Sequence, residues 1–391
     1  MGSHILKLDN SFSKLLLIAC VYPMGPAAII LMPMIVGGVI DSYGFSEQQA
    51  GNLASIEGMG LVLASLLSVL WVRKLPWKKV LFLCLLLMAA LNFLSANLTE
   101  YLPLIVTRGL HGLIAGSLFA ITVAALGDNT EPDKAFGVAQ AIQGVLMFGG
   151  FVCAPYLVHT YGIAGLFYLF TGTSIVMMLS IFNFPEQEVN HVKVFEKSQG
   201  NNHTLLIWLG LIASFVFCVN IFGIWAFIER IGLAAQLSSE DIGFGLGISQ
   251  IFAIGGGIAA AIFSDRYGRT FPLLVVLIGQ ILALWTLVGQ FTSLSFYLAT
   301  GVFQALFVIG ISYQMGIVAK LDIKGKFLVL MTAAQGLGAA FGPSITASLI
   351  REGSDYSGAI EFSMLACLLS ILVFLFIEYR TQFSSGKTAI A

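Results

Sequence analysis

Thr107–Gly116, TRGLHGLIAG, places an arginine and a histidine three residues apart inside an apolar run from about Leu102 to Leu126. A run of about 20 such residues is long enough to cross a bilayer as a helix. Three residues along a helix returns nearly to the same face, so Arg108 and His111 project together, with Ala115 and Thr122 continuing the stripe. An arginine at the centre of such a helix costs about 2.5–3.5 kcal/mol on insertion scales, so it faces a bundle interior or a wet cavity and needs a partner. By this reading Glu57 is the one other ionisable residue deep in an apolar run. Two roles stay open for the pair: a structural ion pair that fixes helix packing, or a group that handles a proton or a charged substrate.

The rest of the chain agrees with a membrane setting. Of 391 residues, 58% are hydrophobic and 10% charged, with a mean hydropathy of +0.93, against about 25% charged in ordinary soluble domains. The apolar runs are Gly-rich and lack the alternation of a membrane barrel, which makes this an all-α polytopic membrane protein. The first run, from Lys14, is too long for the core of a secretory leader and passes straight into more membrane. Cys20, Cys84, Cys153, Cys218 and Cys367 all lie inside apolar runs without metal-ligand spacing, and read as small core residues. No metal and no cofactor is expected.

Twelve spans are expected, at about 14–39, 46–71, 78–98, 102–126, 135–158, 162–183, 204–228, 240–263, 271–290, 294–319, 327–350 and 358–379. Even parity puts both termini on one side, and basic residues decide which. Lys7, Lys14, Arg73, Lys74, Lys78, Lys79, Lys134, Lys193, Lys197, Arg266, Arg269, Lys320, Lys324, Lys326, Arg380 and Lys387 fall on one side, and Arg230 and Arg351 on the other, 16 against 2. Both termini are therefore expected in the cytoplasm, in a bacterial inner membrane. The polar segment 184–203 divides an N-terminal six-helix bundle, 1–183, from a C-terminal one with a short tail, 204–391, as a cytoplasmic linker.

The halves repeat. A shift of 193 residues puts Ser46-Glu47 on Ser239-Glu240, Glu57 on Gln250, Arg73 on Arg266, Thr107 on Thr300, Arg108 on Gly301 and His111 on Gln304. Near spans 5 and 11 the register slips by five, and Gly150-x-x-x-Ala154-Pro155 matches Gly338-x-x-x-Gly342-Pro343. Two six-helix repeats with polar residues at equivalent midplane positions are what alternating access requires.

These residues resemble the major facilitator superfamily. Asp265-Arg266-Tyr267-Gly268-Arg269, after span 8, is similar to that family's cytoplasmic loop signature G-x-L-x-D-R-x-G-R-R, with Ala261 in place of the leading glycine and Thr270 in place of the last base. Arg108-x-x-His111-Gly112 resembles its R-x-x-Q-G motif in span 4, with His111 at the glutamine position. The loop after span 2, WVRKLPWKK, keeps bases including Arg73 but has Val72 where the repeat would place the acid. The resemblance implies the family's fold, two pseudo-symmetric six-helix bundles. It implies a gating role for Arg73, Asp265, Arg266, Gly268 and Arg269, and proton coupling at Arg108.

Depth follows from a rise of about 1.5 Å per residue. Glu57 and His111 lie at similar depth, with Arg108 about one turn nearer the exterior, so a Glu57–Arg108–His111 proton-coupling cluster is geometrically possible. Tyr22, Gln140, Gln143, Asn220, Trp225, Gln250, Gln304, Tyr313 and Gln335 are the candidate substrate-binding residues; each polar one could equally be interhelical glue. Span 1 is broken by Pro23, Pro26 and Pro33, which free backbone carbonyls. The expected function is secondary transport of a small organic solute, proton-coupled, by efflux in exchange for protons. Alternatives are proton-coupled uptake of an organic anion, or an uncoupled facilitator or lipid carrier. H-E-x-x-H and G-x-S-x-G motifs are absent, so no enzyme is expected. Nor is a nucleic-acid partner, because the basic loop 73–79 is a positive-inside flank. The partners expected are the solute, protons and lipid, and the chain is expected to be a monomer.

Overall fold

The computed structural model describes residues 14–129, 131–184, 204–263, 268–322, 328–351 and 355–387. The chain divides into two compact units at residues 191 and 192. The expected linker, 184–203, lies almost entirely outside the described residues.

In the first unit the prolines of span 1 act as anticipated. The span is three segments, α1 (Lys14–Met24), α2 (Ala27–Ile30) and α3 (Met32–Tyr43). Pro23 stands in the tighter 3-10 turn, Tyr22–Met24, that ends α1; Pro26 caps α2 and Pro33 stands in the first turn of α3. The last two are positions where a missing N–H costs no helical hydrogen bond. Next come α4 (Glu47–Leu67), α5 (Trp77–Ala96), α6 (Tyr101–Gly127), α7 (Pro132–Tyr161) and α8 (Ile163–Met177). α4 opens on a reciprocal capping box: Gln49 N–H donates to Ser46 Oγ at 3.2 Å, and Ser46 N–H to Gln49 Oε1 at 3.0 Å. Between α7 and α8 the chain turns on Gly162, whose φ of +65° suits glycine. The next amide, Ile163 N–H, donates to Ser42 Oγ at 2.9 Å and pins this corner to α3. α6 packs on both α4 and α5, and α5 packs on α8.

The second unit contains α9 (Thr204–Ala234), α10 (Ser239–Phe263), α11 (Thr270–Trp285), α12 (Ser293–Leu321), α13 (Leu328–Ala347) and α14 (Ser357–Lys387). The same pairing recurs: α12 packs on α10 and α11, and α11 on α14. The internal repeat is thus visible in the architecture. Among the described residues nine helices are individually long and apolar enough to span a membrane, and α1 and α11 are apolar but shorter. With α1–α3 taken as one crossing, the helix order is consistent with twelve.

Several expectations change. α9 runs on to Ala234 rather than stopping near residue 228, and carries Glu229 and Arg230 inside it as a close pair, Nε to Oε2 3.4 Å. Glu229 is buried, so Glu57 is not the one other ionisable residue besides Arg108 drawn into an apolar span. α11 ends at Trp285 instead of about residue 290, and the chain leaves it through Gly289 at φ +78°.

Candidate functional site

The site is assembled by glycines. A Cβ on Gly112 would lie 2.1 Å from the Glu57 carbonyl oxygen, and one on Gly116 would lie 2.3 Å from that of Leu61. From the other side, a Cβ on Gly60 would lie 2.5 Å from the Gly109 carbonyl oxygen. α4 and α6 therefore meet backbone to backbone, the close approach that small residues allow between membrane helices. That contact sets the Glu57 side chain beside Arg108 and His111, one turn apart on α6.

The three residues are joined as depth arithmetic anticipated. Arg108 Nε donates to Glu57 Oε2 at 3.0 Å, and Arg108 Nη2 donates to Glu57 Oε1, giving a bidentate pair. His111 Nδ1 lies 2.8 Å from the same Oε1. A fourth member is Asn92 of α5: Arg108 Nη1 donates to its Oδ1 at 2.8 Å, and its Nδ2 lies 3.3 Å from His111 Nε2. The Phe167 ring of α8 covers the guanidinium, its centroid 5.0 Å from Cζ. Relative exposures are 0% for Arg108, 1% for Glu57 and Asn92, and 2% for His111. The cluster lies inside the bundle, with every charge paired and no open face for a solute.

Reading the sequence missed Asn92. It is a polar residue in a largely apolar span, about four residues from the C-terminal end of α5, while Arg108 is about seven from the N-terminal end of α6. The same depth arithmetic applied to span 3 would have found it.

The substrate candidates fall in two groups. In the first unit Gln140 Nε2 donates to the Tyr22 hydroxyl at 3.3 Å, and Gln143 Nε2 to Gln140 Oε1 at 3.3 Å, a chain linking span 1 to span 5. The Phe119 ring of α6 packs against Tyr22 at a tilt of 44°, centroids 5.2 Å apart. In the second unit Asn220 is fully buried and donates to Gln280 Oε1 at 3.4 Å, while Gln280 Nε2 reaches the Phe303 carbonyl at 3.4 Å. That is interhelical bonding among α9, α11 and α12. Trp225, Gln250 and Gln304 are also buried, Gln250 donating to Ser249 Oγ at 3.2 Å. Tyr313 borders an apolar groove of about 540 Å³ between α10 and α11. Gln335 is partly buried, with its Nε2 lacking a hydrogen-bond partner among the described residues.

Of the gating candidates, Asp265 and Arg266 lie outside the described residues. Gly268 has φ +65°, and the Arg269 guanidinium packs against Gly316 of α12. Arg73 makes a bidentate pair with Asp128, just past the end of α6, at 2.5 and 2.9 Å, and lies over the Trp77 ring at 5.6 Å. The acid missing from the loop after span 2 is thus supplied by the end of span 4. Hydrogen bonding to Asp128 holds the guanidinium more firmly protonated than usual.

Among curated proteins no sequence matches the chain significantly. Solved structures do match its fold. The nucleoside transporter NupG superposes with a TM-score of 0.72 at 15% identity, over 94% of this chain and 99% of that one. A D-xylose-proton symporter gives 0.73 at 14% identity, over 94% and 97%. A bacterial homologue of the human lysosomal transporter Spinster gives 0.70 at 14%, over 95% and 97%. Identities this low speak for fold alone. A family model described as Major Facilitator Superfamily matches residues 15–313 and 210–389, and so nearly the whole chain. With two helical repeats, apolar spans and the paired Arg108 in place, the chain belongs to the major facilitator superfamily of membrane transporters.

Proposed function

We propose that this transporter is proton-coupled, moving a small organic solute by alternating access, and that the buried Glu57–Arg108–His111 cluster handles the proton. The observation that carries the reading is the Glu57 carboxylate, shared by Arg108 and His111 with no exposure to solvent. Protonating that carboxylate removes the counter-charge of a fully buried arginine, so a single proton changes the balance of forces between α4 and α6. A structural pair would need only the arginine and the acid. The histidine adds a second polar partner on the same carboxylate oxygen, at 2.8 Å.

Direct capture of an organic anion by Arg108 has less support, because an anion would have to displace Glu57 from a sealed site. The polar side chains that stand partly open in the first unit, Gln140 and Gln143, are uncharged, as is Tyr22 beside them. They suit a neutral solute with hydrogen-bonding groups. We read the direction as efflux in exchange for protons; proton symport, the coupling named for the xylose transporter among the structural neighbours, is the second reading. The excess of Lys and Arg on one set of loops supports cytoplasmic termini in a bacterial inner membrane, and the protein is taken to act as a monomer.

The test is transport in liposomes with a trapped pH dye, using a solute picked by thermal-shift screening across metabolite classes. Antiport makes a solute gradient drive protons the opposite way, and symport drives them the same way. Solute movement with no pH change would overturn the coupling and leave a facilitator or lipid carrier.

A further inference from the structure

Asn92 sits between two groups that make opposite demands on it. Its Oδ1 accepts from Arg108 Nη1 at 2.8 Å, and its Nδ2 lies 3.3 Å from His111 Nε2. Turning the amide over would set Nδ2 against the guanidinium, donor against donor. Arginine has no acceptor in any state, so the orientation of the amide is settled by its charged neighbour.

The consequence passes to the histidine. A nitrogen facing an NH2 group must offer a lone pair, so Nε2 is unprotonated and the single proton of the neutral ring sits on Nδ1. Nδ1–H then donates to Glu57 Oε1 at 2.8 Å, which a carboxylate accepts. The alternative tautomer fails at both ends: it points Nε2–H at the amide donors and turns the Nδ1 lone pair toward the carboxylate. The 3.2 Å approach of Arg108 Nη2 to Nδ1 is then a contact and not a hydrogen bond. Glu57 of α4 and Arg108 and His111 of α6 are the titratable side chains that meet here, and Asn92 of α5 and the Phe167 ring of α8 close the remaining sides.

We infer that Asn92 is a positioning residue that locks His111 as the neutral Nδ1–H tautomer and so leaves Glu57 to take up the transported proton. This rests on the proton-coupled reading above. Making His111 an imidazolium would place Nε2–H against the Asn92 amide and force Asn92 off Arg108. Protonating Glu57 leaves the Asn92 amide and its bond to Arg108 in place. Glu57 Oε1 already accepts from His111 and Arg108, whereas Oε2 is met by Arg108 Nε alone at 3.0 Å. The proton therefore adds at Oε2, forming the O–H bond of a carboxylic acid and displacing the Arg108 Nε–H hydrogen bond. Its release regenerates the carboxylate and restores that bond.

The experiment is ¹⁵N NMR of histidine-labelled, full-length protein in nanodiscs, with the His111 signals identified by their loss in His111→Gln. In the wild type, His111 keeps the neutral Nδ1–H signature on acidification through the pH range in which transport responds. Over the same range an infrared carboxylic-acid band rises that Glu57→Gln lacks. In Asn92→Leu, His111 gains an imidazolium signature on acidification. Imidazolium or Nε2–H signals at His111 in the wild type would overturn the inference, whether or not the variant folds. So would the absence of the carboxylic-acid band. Transport without coupled protons, measured separately in liposomes, would sink the functional reading while the tautomer result still stands or falls by the spectra.

Discussion

Arg73 and Asp128, 55 positions apart in sequence, form a bidentate ion pair at 2.5 and 2.9 Å. The pair ties the loop after α4 to the end of α6, two helices already joined along their glycine seam. The repeat register puts Val72, and not an acid, opposite Asp265, and the first-half loop base takes its acid from the end of α6 instead.

Neutralising that acid should act on conformational balance more than on folding. The pair is partly exposed, with side-chain exposures of 44% for Arg73 and 23% for Asp128. Exposed pairs contribute about 0–1 kcal/mol. Asp128→Asn is expected to leave thermal stability nearly unchanged, to change the accessibility of cysteine probes placed at the same end of the bundle, and to lose its effect in high salt. Unchanged probe accessibility at low salt would show the pair to be ornamental.

Breaking the buried pair should cost far more. Glu57→Gln leaves Arg108 without a counter-charge in a sealed site, where removing one partner typically costs about 3–5 kcal/mol. Adding Arg108→Gln to the same chain should recover part of the loss, because it deletes the stranded charge. Both proteins should lose accumulation driven by a pH gradient, and the double variant should still exchange solute at equal pH. Thermal unfolding and liposome transport check the two arms. Full stability in Glu57→Gln alone would contradict the geometry.

The glycine seam makes a steric prediction. Gly112→Ala puts a methyl group 2.1 Å from the Glu57 carbonyl oxygen and must push α4 from α6. Overpacking of this kind costs about 1–3 kcal/mol. Gly127→Ala, with nothing within 4 Å of the new atom, should change stability by about 0.5 kcal/mol or less. Equal melting temperatures for the two variants would deny the close contact.

Topology is testable in intact cells. In a cysteine-free background, a cysteine replacing Gln199 should be shielded from an impermeant thiol reagent, while one replacing Asp355 should react. The opposite pattern would invert the orientation read from the basic residues.

The legible part of the molecule was whatever leaves a mark on hydropathy. Span limits came within a few residues for most helices, since a bilayer crossing dictates a minimum apolar length. The break at Pro23, Pro26 and Pro33 was legible because proline lacks a donor. Charge made Glu57, Arg108 and His111 stand out. Asn92 is neutral, and Asp128 sits at a helix end where an acid looks like ordinary loop chemistry, so neither stood out. The end of α9 was misplaced because Glu229 and Arg230 interrupt the apolar run, although paired at 3.4 Å they stay within the helix. The buried Asn220 shows the converse: a polar residue at a fitting depth that serves its neighbouring helices.

The glycine contact between α4 and α6 also apportions motion within the first unit. Sliding one helix by a single residue, about 1.5 Å, would drive side chains into carbonyls where only hydrogen atoms now fit. Those two helices are riveted. Span 1 is the opposite kind of part, three short rods with proline at their joints and fewer backbone bonds to break on bending. Tyr22 stands immediately before the first of those joints and touches Gln140. Under the function proposed above, a solute felt at Tyr22 would act on the jointed member, and a proton at Glu57 on the riveted one.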